Sequence, residues 1–362
     1  MVVTRKQVMQ ALAGVVDPEQ GRDIARLGMI HDLDVAGDAV SFTVRVKDAR
    51  APFAEEVEEA SRRAVHGALG EHLIVTVKVE PEKLSPGAKG AIKTGVQHLI
   101  AVASGKGGVG KSTVAVNLAT ALARQGYAVG LVDTDIYGPS IPTMFGLAGG
   151  KPRVSDQRKI LPLEKHGVKL LSMGFLVDPS QAVIWRGPMV SSAVRQFLGD
   201  TEWGALDYLI LDLPPGTGDI QLTIVQTVAL TGAVIVSTPQ QVALADARKG
   251  VSMFNNVNVP VLGIVENMAY FTPPDLPDRT YYLFGQGGAR RLAEELDVPF
   301  LGEIPLEQAV RESGDDGTPV VVARPDSAAA QAFAAVAARV AEQVARRTAG
   351  QPPTQSVEIL YR

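Results

Sequence analysis

The stretch Ser104-Gly105-Lys106-Gly107-Gly108-Val109-Gly110-Lys111-Ser112-Thr113 decides how the rest of this chain is read. It follows an apolar run, residues 98–103, that reads as a strand, and it precedes residues 114–124, which read as a helix. Gly105, four further residues, Gly110-Lys111 and then Ser112 satisfy the phosphate-loop pattern. Closely spaced glycines let backbone N–H groups converge on anionic oxygens, with the positive end of a helix behind them. The residues Gly105, Lys106, Gly107, Gly108, Val109, Gly110, Lys111, Ser112 and Thr113 are therefore expected to cradle a nucleotide. Lys111 is expected to reach the β- and γ-phosphates, and Ser112 to place its hydroxyl on magnesium. Lys106 is a second lysine that the pattern does not require.

Two apolar runs downstream end on carboxylates. Residues 128–132 run into Asp133-Thr134-Asp135, and residues 206–211 run into Asp212-Leu213-Pro214-Pro215-Gly216-Thr217-Gly218-Asp219. Ligands of open α/β sheets bind beyond the carboxyl ends of the strands, which is where these aspartates fall. Asp212 suits a magnesium ligand acting through water, and Asp135 suits a group that orients or activates the attacking water. A helix cap or turn is the bland alternative for each. The paired glycines Gly216 and Gly218 suit a loop that moves when a γ-phosphate is lost. Asn267, after the run 261–265, suits either a turn or an amide that reads the adenine edge.

The remaining sequence sets the frame. At 362 residues the chain suits two domains, and 46% hydrophobic residues is ordinary for a globular protein. A net charge of −4 gives no sign of nucleic-acid binding. No apolar run is long enough to span a membrane, and residues 1–10 lack an apolar signal core, so a cytoplasmic setting is the expectation. Cysteine is absent, and the histidines His31, His66, His72, His98 and His166 make no short-spaced ligand pair. Residues 1–82 read as a small α+β domain of αββαβ order, with a hairpin turn at Ala36-Gly37-Asp38. Residues 83–97, rich in Pro, Gly and Lys, read as a linker. Residues 98–349 alternate near-continuous apolar strands with helices, the pattern of a mostly parallel sheet covered on both faces. Residues 350–362 form a tail.

At these strings the chain resembles the MinD-like deviant Walker A ATPases, and among them the Mrp/ApbC family of iron–sulfur cluster carrier ATPases. The resemblance also rests on Trp185-Arg186-Gly187-Pro188-Met189 and Glu266-Asn267-Met268. Asp17-Pro18-Glu19 and Leu27-Gly28-Met29-Ile30 resemble the small cluster-assembly domain often fused to that family. The resemblance implies a P-loop NTPase fold, ATP and magnesium as ligands, and ATP hydrolysis in a homodimer. It implies that Lys106 reaches the nucleotide of the other subunit, that Asp135 handles the attacking water, and that Asn267 reads adenine. It implies iron–sulfur client or assembly proteins as partners and an iron–sulfur cluster as cargo; the net charge and the last helix and tail give no reason to expect nucleic acid or a membrane as a partner.

One departure is plain. Relatives in this family commonly carry a C-x-x-C pair after Glu-Asn-Met, binding a cluster shared across the dimer. Here residues 269–285 contain no cysteine, and Arg50-Ala51-Pro52-Phe53 lacks the cysteine usual before the first-domain helix. The same zero count argues against an electron donor of the nitrogenase-reductase kind. The competing reading is a MinD/ParA-like spatial organiser, which needs an amphipathic tail or a basic face. The last helix, read over 327–347, offers Phe333 as its one large apolar residue.

Overall fold

In the computed structural model the chain divides into two units, Met1–Gly87 and Ala88–Arg362. The structure describes residues 3–17, 22–25, 29–46, 53–81, 92–93, 95–135, 138–175, 187–349 and 358–359. Pro18, Glu19, Leu27, Gly28, Arg50 to Pro52, Trp185, Arg186 and most of the expected linker and tail lie outside them.

In the first unit α1 (Arg5–Leu12) opens with a capping box. The Thr4 hydroxyl accepts from the Gln7 N–H, and the Gln7 side chain accepts from the Thr4 N–H. This local signal sets the first residue of the helix at Arg5. Strands β1 (Ile30–Ala36) and β2 (Ala39–Val46) form the expected hairpin, turning at Gly37 with φ +63°. Helix α2 (Phe53–Leu69) then crosses over, so that β3 (Ile74–Pro81) pairs parallel to β2. Val57, Ser61 and Val65 recur every four residues and are buried, while Val40, Phe42 and Val44 alternate along β2. Together they build the core of the unit.

The second unit is organised around β4 (Val96–Ala103), buried along almost its whole length. Ile100 and Val102 enter one core layer, and Leu99, Ala101 and Ala103 the opposite one. Period-two alternation with both faces apolar produces the continuous hydrophobic run seen in the sequence. Further strands are β5 (Val129–Asp133), β6 (Leu163–Lys165), β7 (Val168–Ser172), β8 (Leu206–Asp212), β9 (Gly232–Ser237), β10 (Val261–Asn267) and β11 (Phe300–Ile304). The eight strands order as β6-β7-β5-β8-β4-β9-β10-β11, all parallel except the edge pair β6–β7. The expected mostly parallel sheet with helices on both faces is therefore the fold observed.

Helix α3 (Lys111–Arg124) packs Val114, Leu118 and Leu122 on one face of this sheet, together with the last helix, Ala328–Ala349. The other face carries α4 (Gly187–Gly199), α5 (Asp219–Thr227), α6 (Gln241–Asn256) and α7 (Gly288–Glu295). Phe333, Val336, Val340 and Val344 of the last helix are buried in the core, so its apolar stripe is spent inside the unit. No described helix is long and apolar enough to cross a membrane. A short antiparallel pair joins Ile92–Lys93 to Glu358–Ile359. Strand β7 is an addition to the sequence reading. Five residues carrying Lys169 give too short a pattern to stand out, and its place beside β5 comes from tertiary pairing.

Candidate active site

Strand β4 lies between β8 and β9, so the chain departs to opposite sides of it. The carboxyl end of such a strand is the crevice of an open α/β sheet. The loop 104–110 leaves β4 there and enters α3, whose first residue is Lys111 rather than Val114. Gly108 and Gly110 both take φ +81°, a left-handed conformation that L side chains rarely adopt. A Cβ on Gly105 would sit 2.2 Å from the Asp246 backbone carbonyl on α6, so close backbone packing as well as φ accounts for the glycines. The Ser104 hydroxyl donates to the Lys106 carbonyl at 2.9 Å and closes the turn, while Gly107 and Gly108 face solvent and Val109 is buried.

The two carboxylate-ending strands converge on this loop. Asp212 and Asp133 are register neighbours at the ends of β8 and β5, both fully buried. Lys111 Nζ donates to Asp212 Oδ1 at 2.5 Å and to Ser112 Oγ at 3.1 Å. It thus bridges the two groups expected to hold magnesium. Asp212 Oδ2 is buried without a hydrogen-bond partner. A hydroxyl and a carboxylate with an unused oxygen form a hard-oxygen donor pair that fits magnesium brought in with phosphates. Among the described residues no cluster of three or more His, Asp or Glu side chains forms a metal site of its own.

Burial pushes the Asp212 carboxyl above its usual range, and the Lys111 ammonium opposes that rise. Asp133 is pushed up to about 8 by burial and by the neighbouring Asp212 charge, against the pull of the Ser172 hydroxyl. Asp133 was not among the residues expected to act, yet it organises the next turn. Its Oδ1 accepts from the Asp135 N–H at 3.1 Å, and its Oδ2 accepts from Ser172 Oγ at 2.9 Å and the Ile141 N–H at 3.4 Å. Thr134 donates both its N–H and its hydroxyl to the Asp212 carbonyl, locking the ends of β5 and β8 together. Asp135 lies half-buried beyond that lock, its Oδ1 accepting from the Gly138 N–H at 3.3 Å. Gly216 donates to the Ser104 carbonyl at 2.9 Å, tying the loop after Asp212 to the start of the phosphate loop.

Asn267 ends β10 beside the loop. Its Nδ2 donates to the Val109 carbonyl at 2.8 Å and packs where a Cβ on Gly110 would stand. Gly110, Thr113, Asn117, Asn267, Met268 and Leu306 are among the residues lining a cavity of about 580 Å³, a size that suits a nucleoside. The wall after β11 and Asn117 on α3 escaped the sequence reading. The rule that ligands gather at strand ends would have pointed to Leu306, since it follows β11 directly.

The family model of the NUBPL iron-transfer P-loop NTPases matches residues 95–341, and that of the iron–sulfur cluster assembly proteins matches residues 5–79. The chain belongs to the NUBPL iron-transfer P-loop NTPase family. An iron–sulfur cluster carrier protein of Synechocystis is 51% identical, over 95% of this chain and 98% of the relative. The mouse iron–sulfur cluster transfer protein NUBPL is 51% identical, over 71% of this chain and 80% of its own length. A solved structure of a nucleotide-binding protein from Archaeoglobus fulgidus, in complex with ADP, is 44% identical. It covers 62% of this chain and 87% of its own, with a TM-score of 0.55.

The family's cargo finds no thiolate here. The chain has no cysteine, and residues 269–285 offer Tyr, Asp, Thr and Pro in place of soft sulfur ligands. The segment does not fit an iron–sulfur cluster.

Proposed function

We propose that this chain is an ATP-hydrolysing homodimeric switch acting in iron–sulfur protein assembly. The observation that carries the reading is the convergence of Lys111, Ser112, Asp212 and Asn267 on one phosphate loop, in a chain of the iron-transfer family. Incoming phosphates compete with Asp212 for the Lys111 ammonium, so Lys111 turns from the carboxylate to the β- and γ-oxygens. Ser112 and Asp212 are the residues that would hold magnesium, which when bound would neutralise charge on the phosphate oxygens. Asp135 orients the water that attacks the γ-phosphorus. The bond to the bridging oxygen breaks and ADP leaves with that oxygen. Lys106, half-buried beside the exposed Gly107 and Gly108, supplies positive charge to the nucleotide of the second subunit. Asn267, its Nδ2 held by Val109, keeps Oδ1 as the acceptor for the adenine amino group.

Without cysteine the chain acts as a nucleotide-driven scaffold for client or assembly proteins whose own thiolates carry the cluster. The cytoplasm, where thiols stay reduced, is the setting this reading assigns. The test is hydrolysis and sedimentation of wild type and Lys106→Ala with ATP. Loss of a trans-acting charge is expected to slow hydrolysis by about 10²–10³-fold. Wild-type rates in Lys106→Ala would remove the trans role. The purified protein is expected to stay colourless after anaerobic reconstitution with iron and sulfide, and a stable cluster would overturn the scaffold reading.

A further inference from the structure

Strand β7 carries none of the residues assigned to the nucleotide above, which lie at or just past the ends of β4, β5, β8 and β10. Yet it ends level with them, since Ser172, Asp133 and Asp212 are register neighbours across β7, β5 and β8. Register neighbours on adjacent strands share a sheet face, so the three polar groups form a row at the ligand edge. All three are fully buried. The two carboxyl groups are held from opposite ends of the row, Asp212 by Lys111 and Asp133 by Ser172.

The Asp133 carboxyl receives both ends of the loop that carries Asp135. Its Oδ1 accepts from the Asp135 N–H at 3.1 Å, and its Oδ2 from the Ile141 N–H at 3.4 Å, where the short helix Ile141–Met144 begins. An aspartate has no sharp torsional preference about its Cβ–Cγ bond, so the carboxyl plane must be fixed from outside. The shortest of its three bonds does this, from Ser172 Oγ to Oδ2 at 2.9 Å. The hydroxyl is itself oriented, because it accepts from the Gly174 N–H at 3.0 Å and so turns its proton to Asp133. The turn Met173–Phe175 also packs on the same loop. A Cβ on Gly174 would stand 3.0 Å from Pro139 and 3.1 Å from Pro142. The end of β7 therefore meets the loop twice, by a hydrogen bond to its anchor and by packing against its prolines.

We propose that Ser172 is a positioning residue for ATP hydrolysis, its hydroxyl fixing the Asp133 carboxyl and, through it, the loop on which Asp135 orients the attacking water. The inference rests on the reading of Asp135 above. Ser172 acts through two hydrogen bonds in series, to Asp133 and from there to the Asp135 N–H. Ser172→Ala removes one oxygen atom, leaves the Gly174 N–H without its acceptor, and leaves Asp133 Oδ2 with only the 3.4 Å bond. Lys111, Ser112 and Asn267 keep their own bonds on β8, α3 and the phosphate loop. The loss therefore falls on turnover and spares binding. Misplacing an orienting group by about 1 Å costs on the order of 10²-fold in rate.

The test uses the full-length protein and measures kcat at saturating ATP and affinity for a fluorescent ATP analogue. The forms compared are wild type, Ser172→Ala, Ser172→Thr, Asp135→Ala, and Asp135→Ala combined with Ser172→Ala. Ser172→Ala is expected to lower kcat by about 10–100-fold while analogue affinity stays within about threefold of wild type, which also shows that it folds. Ser172→Thr keeps the hydroxyl on a strand that suits a β-branched residue, and should hydrolyse ATP within about fivefold of wild type. In the combined variant, Ser172→Ala should cost less than about twofold beyond Asp135→Ala alone, because both remove the same function. Wild-type kcat in Ser172→Ala, affinity lost in step with kcat, or Ser172→Thr as slow as Ser172→Ala would each overturn the inference. Losses that multiply in the combined variant would overturn it too, while the Asp135 reading stands. If Asp135→Ala hydrolyses ATP like wild type, the Asp135 reading falls and this one with it.

Discussion

Replacing Lys111 with methionine tests the charge arrangement at the heart of the site. The Lys111 side chain is 6% exposed and Asp212 is fully buried, with Oδ2 already lacking a partner. Methionine keeps most of the volume and removes the one cation bonded to that carboxylate. Removing one partner of a buried pair costs about 3–5 kcal/mol, because the remaining charge is left uncompensated. Asp133 beside it raises the cost further. The loss should depend on pH. With the ammonium gone the Asp212 pKa climbs further, so the native state holds a proton that the unfolded chain releases. Stability then falls as pH rises, by up to about 1.4 kcal/mol per unit. At pH 8 the unfolding midpoint of the second unit, followed through buried Trp203, should drop by roughly 6–15 °C. Near pH 5 the drop should shrink. Adding Asp212→Asn to Lys111→Met should recover stability at pH 8, since a neutral amide needs no counter-ion. Nucleotide-free Lys111→Met melting like wild type at pH 8, or a double variant no more stable than the single one, would refute the reasoning.

Gly105→Ala drives a Cβ into the Asp246 backbone and should lower stability by about 2–3 kcal/mol in urea titration, whereas Gly107→Ala, with its nearest neighbour at 4.0 Å, should stay within about 0.5 kcal/mol. Asp133, raised from 3.8 to about 8, holds a proton in the native state that the unfolded chain loses. Its contribution is full below about pH 4 and lost as pH rises through about 8, so Asp133→Asn should flatten the urea midpoint between pH 5 and 8.5. Asn267→Ala removes the donor to Val109 and the proposed adenine acceptor. By calorimetry ATP affinity should fall about tenfold more than that of inosine triphosphate, which lacks the amino group.

How much of this was legible in the sequence varies by element. The runs ending at Ala103, Asp133, Asp212 and Asn267 announced their strands because strands buried on both faces are apolar throughout. Strand boundaries shifted by one or two residues, and α3 began three residues early because phosphate-loop residues Lys111 to Thr113 already form its first turn. Strand β7 was not legible, since five residues give too short a pattern, and the wall at Leu306 could be reached only through the position of β11. Asp133 was visible as a letter, yet nothing in the sequence separated its work from that of Asp135. One is buried under Ser172 and Ile141, and the other lies past the turn that burial creates.

By itself the sequence determined the class of fold, the phosphate loop and the absence of any thiolate, because each depends on residue type and short-range spacing. Tertiary structure alone decided that Lys111 bridges Ser112 and Asp212 and that Asn267 holds the loop through Val109. Lys111 and Asp212 lie 101 residues apart along the chain, and Asn267 and Val109 lie 158 apart. Only the parallel sheet, by stacking strand ends along one edge, brings them within hydrogen-bond reach, and no local spacing encodes that meeting.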